Sequence, residues 1–147
     1  MYRTLIPLAG LLALSGIAQA ESPENYIDYR KAVMKAIGGH MGASTQIMRG
    51  RVSPDGALAM HADALAALNA DLGRLFPEGS DFGETKAKPE IWQDPEGFAK
   101  VVAQGRDATA EFAAAVASGD QGRIASAHKA VSDSCKACHQ DYRLKDD

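Results

Sequence analysis

The sequence predicts an all-α protein, folded as an antiparallel up-down-up-down bundle of four helices. Three observations carry that expectation. Apolar residues recur at helical spacing in four separate segments. Those segments open on Ser-Pro, Asp-Pro or Asp-containing starts suited to helix N-termini. No stretch alternates apolar and polar residues as a half-buried strand does. Aromatics make up only 6% of the chain and Ala dominates the apolar set, which favours helices over sheet.

The first twenty residues are not part of that bundle. Arg3 supplies a positive start, "LIPLAGLLALSGIA" is an apolar run, and Ala18-Gln19-Ala20 offers small residues at a cleavage point. This is the pattern of a secretory signal cut after Ala20. The run is short and interrupted by Pro7, Gly10 and Gly16, which disfavours a membrane span. The expected organisation is therefore 1–20 as a cleaved signal peptide and 21–147 as one helical domain. That mature domain has 15 Lys and Arg against 19 Asp and Glu, a formal charge of −4, with no basic cluster. Nucleic-acid binding is not expected of it.

Ser22-Pro23 is the start signal of the first helix, which should run to about Arg49 with Tyr26, Val33, Ile37, Met41 and Met48 on one face. Gly38, Gly39 and Gly42 weaken it, each by roughly 1 kcal/mol relative to Ala. They imply either a bent or frayed turn or the close approach of another backbone or a flat ligand. Ser53-Pro54 repeats the start signal for a second helix through Leu58, Leu65, Leu68, Leu72 and Leu75, ending near Phe76-Pro77. Residues 77–94 form a long connection marked by Pro77, Pro89, Gly79 and Gly83, with one helical turn around Ile91-Trp92. Asp94-Pro95-Glu96 starts the third helix, with Phe98, Val101, Val102, Ala108, Phe112 and Val116 inward. "SGDQG" is a turn in which Asp120 caps the fourth helix. That helix should reach about Leu144, with Ile124, Ala127, Val131, Cys135, Cys138 and Tyr142 on one side.

The chemistry sits in "CKACH". Cys135 and Cys138 are the only cysteines, and His139 follows the second. A structural zinc site would need a second ligand pair; no second cysteine pair exists, and His40, His61 and His128 are scattered along the chain. A thioredoxin-like pair belongs where a strand enters a helix, not late in an all-helical chain. A disulfide within one helical turn is geometrically poor. Cys-X-X-Cys-His is the attachment signature of a c-type haem. On a helix the three side chains share one face, so two thiols can add to the haem vinyl groups while the adjacent imidazole reaches iron.

Four stretches together resemble the class II c-type cytochromes, the cytochrome c′ family: "YRKAVMKAIGGHMG", "LFPEGS", "PEIWQDPEGF" and "CKACHQDYR". The resemblance covers essentially the whole mature length. It implies one haem c bound through Cys135 and Cys138, with His139 as the proximal ligand. It also implies redox partner proteins in the periplasm or at its membrane, and a homodimer as in many relatives.

Function then depends on the sixth coordination position. In an antiparallel bundle, the level of His139 on the last helix corresponds to residues roughly 27–35 on the first, by 1.5 Å per residue. Met34 lies in that window. Met34, Met41 and Met48 also recur every seven residues, the pattern of ordinary core. In the gas-binding cytochromes c′ the position matching Met34 carries a non-coordinating residue, whereas in the low-spin branch a methionine there ligates iron. The resemblance therefore implies Met34 as the distal ligand and a periplasmic, non-enzymatic electron carrier. The alternative is a five-coordinate protein that binds nitric oxide or carbon monoxide. Arg30, one turn before Met34, is expected to meet a haem propionate or simply to face solvent. Arg143, four residues after His139, is expected to flank the imidazole or to serve as a cation in the last helical turn. His40, His61 and His128 lie away from the haem level by residue count and are expected at or near the surface.

Overall fold

A computed structural model describes residues 22–145. The expected signal peptide, 1–20, lies outside the described residues. Five helices follow one another: α1 (Pro23–Met48), α2 (Ala57–Asn69), α3 (Glu90–Gln93), α4 (Pro95–Ser118) and α5 (Gln121–Tyr142). The four longer ones form the bundle, and α3 is the single turn expected around Ile91-Trp92. None is long and apolar enough to cross a membrane.

Local chemistry explains most of the helix ends. The Asn25 N–H donates to Ser22 Oγ and Pro23 occupies the first turn, where its missing N–H costs nothing. The Gly97 N–H donates to Asp94 Oδ1 at 3.0 Å, and the Arg123 N–H to Asp120 Oδ1 at 3.0 Å. Gly119 ends α4 in the left-handed region at φ 72°, which a side chain would resist.

The second helix departs from expectation at both ends. It begins at Ala57, not at Ser53-Pro54, because Gly56 takes the cap position at φ 68° and Pro54 lies in the preceding turn. It stops at Asn69, whose buried side-chain amide donates to the Leu65 carbonyl at 2.8 Å and competes with the helical ladder. A 3₁₀ turn over Leu72–Leu75 carries the chain onward. With 13 residues, α2 rises about 20 Å, whereas α1 with 26 rises about 39 Å. The remaining height is walled by the 3₁₀ turn and the long connection.

The core is aliphatic with one central ring. Phe112, Leu65, Val131, Ala62 and Ala115 are fully shielded from solvent and pack with Ile37, Ile124 and Ala127. Burial of a side chain such as Phe112 contributes about 2–3 kcal/mol. The closest helix pairs are α4–α5, α2–α4 and α1–α2. The remaining neighbours, α1 and α5, run antiparallel and approach less closely. They meet late in α1 and early in α5, where Thr45 Oγ1 lies 3.4 Å from His128 Nε2.

Gly38, Gly39 and Gly42 lie on the exposed side of an unbroken α1, and nothing stands within 4 Å of where their Cβ atoms would be. Neither a frayed turn nor a close backbone approach is present there.

Candidate functional site

Because α1 and α5 diverge toward the start of the first and the end of the second, a cavity of about 850 Å³ opens between them. Met34 and Arg30 line it from α1, and Cys138, His139 and Tyr142 line it from α5. Phe98 contributes from α4, and residues 83–87 close one side. Cys135, one turn before Cys138, is half-buried against the aliphatic core.

Cys135 and Cys138 are not joined to each other by a disulfide. Burial raises the Cys135 pKa, and it pushes Cys138 up to about 11, with the charges of Cys135 and Asp141 adding to the effect. Thiols held in the protonated form resist oxidation to a disulfide, since the thiolate is the reacting species. The His139 pKa is lowered, first by desolvation at the cavity wall and then by the positive charge of Arg143. That favours the neutral imidazole, the form with a lone pair for a metal. Among the described residues no group of three or more His, Cys, Asp or Glu side chains is placed to hold a bare metal ion.

The wall facing α5 is a loop held by one buried cation. Arg30 is only 3% exposed, which removes the solvent-facing alternative for it. Its Nη1 donates to the Leu75 carbonyl and Ser80 Oγ, and its Nη2 to the Ser80 carbonyl and Thr85 Oγ1, at 2.8–3.4 Å. The guanidinium also lies 4.9 Å from the Phe76 ring centroid and 5.9 Å from that of Trp92. Desolvation lowers its pKa, but an arginine stays charged.

The same loop straps the end of α5. The Lys88 N–H donates to the Tyr142 carbonyl at 3.1 Å, and the Leu144 N–H to the Lys86 carbonyl at 2.8 Å. Ala87 and Arg143 form an isolated antiparallel bridge. Lys88 Nζ donates to the carbonyls of Gln140 and Asp141, satisfying groups that a helix end leaves open. Trp92 packs edge-on to Phe76 at this end of the bundle, with its Nε1–H donating to the Pro77 carbonyl. Phe76 packs edge-on to Phe98, which packs edge-on to Tyr142, with centroids 4.9 and 5.2 Å apart. A Cβ at Gly97 would meet the Asp94 carboxylate and lie 2.9 Å from the Tyr142 hydroxyl, so a side chain there would have to displace both of those side-chain ends.

The donor set suits a c-type haem. Two thiols one helical turn apart adjoin an imidazole biased toward its neutral form. The cavity beside them falls within the roughly 300–1,000 Å³ of small-molecule and cofactor pockets. The family model described as Cytochrome C′ matches residues 25–143. The chain belongs to the cytochrome c′ family.

Its relatives agree over nearly full length. Cytochrome c′ of Rhodospirillum rubrum is 35% identical over 146 residues, covering 97% of this chain and 99% of that one. Cytochrome c-556 of Agrobacterium fabrum is 38% identical over 121 residues, covering 81% of each. A nitric oxide complex of a variant cytochrome c prime from Alcaligenes xylosoxidans superposes with a TM-score of 0.77 at 31% identity, covering 84% and 98% of the two chains. As a member of the cytochrome c′ family, the chain takes one covalently attached c-type haem.

The residues singled out in the sequence converge here. Cys138, His139, Met34, Arg30 and Arg143 all line one cavity, and Cys135, one helical turn before Cys138, packs against the core cluster instead. His40, His61 and His128 do not line it. Sequence reasoning missed the loop contacts of Arg30 with Ser80 and Thr85, and the strap from Lys86 to Lys88. These are separated by 50 or more residues from their partners, and no spacing rule reports them.

Proposed function

We propose that the chain is a periplasmic carrier of single electrons, with His139 and Met34 as the two axial ligands of a low-spin haem iron. Support for this reading comes from one observation: Met34 lines the same cavity as His139 and Cys138, from the opposite helix. When bound, the haem supplies a one-electron Fe(III)/Fe(II) couple. Cys135 and Cys138 anchor it to α5, and His139 presents a neutral imidazole. A thioether from α1 would keep coordination constant as the charge changes, which keeps reorganisation small.

Arg30 is a buried cation whose bonded partners at the cavity wall are neutral oxygens. A haem propionate is the anion that would balance it, without releasing the loop. Arg143 stands beside His139 and disfavours the imidazolium. Export follows from the expected signal at 1–20. Redox proteins are the expected partners, and a homodimer is expected from the resemblance alone. No side chain in the cavity is assigned a role as acid, base or nucleophile.

A second reading has its own support. Several relatives are named cytochrome c′, and the solved structures include nitric oxide and carbon monoxide complexes. On similarity alone, a five-coordinate protein that binds these gases is the better supported. The thioether at position 34 is what argues for the first. Replacing Met34 with Ala and recording visible spectra of the haem-loaded proteins separates them. The first reading expects a low-spin spectrum with a weak thioether–iron charge-transfer band, converted to high spin by Met34→Ala. A high-spin spectrum in both proteins rejects it and leaves the gas-binding reading.

A further inference from the structure

Away from the haem cavity, α1 and α2 bring two imidazoles together. His40 Nδ1 and His61 Nδ1 lie 2.9 Å apart, with ring centroids 5.2 Å apart and ring planes at 62°. Both are partly buried, and both stand apart from the cavity residues.

We propose that His40 and His61 form a two-histidine chelate for a divalent transition-metal ion, with Cu(II) the best fit. Metal–imidazole bonds are about 2.0–2.1 Å long, so two nitrogens 2.9 Å apart subtend about 90° at a shared metal. That is the angle between adjacent ligands of a square-planar or tetragonal centre, the geometry Cu(II) prefers. A tetrahedral Zn(II) centre would want the nitrogens about 3.3 Å apart. Affinity order also places Cu(II) ahead of Zn(II) at nitrogen sites.

In the metal-free protein one Nδ1–H donates to the other Nδ1. On binding, the donor ring moves that proton to its own Nε2, so both Nδ1 lone pairs face the metal and no net proton is lost. No further His, Cys, Asp or Glu completes a three-residue group among the described residues, so water fills the other positions.

The test is titration of the haem-loaded protein with copper(II) chloride, followed by calorimetry and electron paramagnetic resonance. One Cu(II) per chain is expected, with hyperfine coupling to two nitrogens and tighter binding than zinc(II) chloride gives. His40→Gln and His61→Gln should each weaken binding by at least about tenfold and remove one nitrogen from the spectrum, while His128→Gln leaves both unchanged. Circular dichroism and the haem spectrum verify that each variant is folded, and His61→Asn replaces any that is not. Equal copper affinity in the wild type and both glutamine variants, or no coupling to two nitrogens, overturns the proposal.

Discussion

The two ends of this bundle are built by different means. At the end around Phe112, four helices close on an aliphatic core, and α1 reaches α5 through Thr45 and His128. At the other end α2 has already stopped at Asn69, and α1 and α5 stand apart. There the wall is a loop pinned by Arg30 and strapped to α5 by Lys86 and Lys88. The first end depends on burial, which is non-directional and shared among many residues. The second depends on a few directional hydrogen bonds to one cation. A cofactor cavity is compatible with the second arrangement and not with the first, since close packing leaves no room for one.

The contrast can be broken by mutation. Phe112→Ala should have the largest effect on stability, lowering it by about 3–5 kcal/mol in denaturant unfolding, with the visible spectrum of the haem protein unchanged. Arg30→Met should cost less, about 1–3 kcal/mol, by leaving the loop oxygens of Leu75, Ser80 and Thr85 without a donor. It should nevertheless change the haem spectrum and speed hydrogen exchange over residues 80–88. If Phe112→Ala altered the spectrum while Arg30→Met did not, the division between the two ends would be wrong.

The smallest effect concerns pH. Burial beside Phe112, and then the charge of Arg49, lower the His128 pKa from the ordinary 6.5. The unfolded chain therefore takes up this proton first as pH falls. Stability from His128 is complete above about pH 6.5 and declines below it, by at most about 1.4 kcal/mol per pH unit. His128→Gln should flatten thermal stability between pH 7 and 5 relative to the wild type. An unchanged slope would show that His128 has the same pKa folded and unfolded.

Helices, and the cap residues Ser22, Asp94 and Asp120, were legible in the sequence because their signals are local. So was the attachment motif, in which spacing along one helix is the geometry. Ser53-Pro54 misled because the same residues serve a turn, and Gly56 took the cap instead. The three glycines of α1 suggested close approach, yet they face outward, since composition does not say which side of a helix meets a neighbour. Arg30 was legible as a residue near the site but not as a buried one. Its burial depends on carbonyls that only the folded loop presents. The His40–His61 contact joins positions 21 apart on different helices, and nothing in either local sequence announces it.

The cavity lies between the opening helix and the closing one, and both cysteines belong to the closing one. A polypeptide halted after Ser118 would have most of the hydrophobic face of the bundle and neither of the cysteines proposed to hold the pigment. Colour in this molecule is thus a report that translation ran through to the final helix.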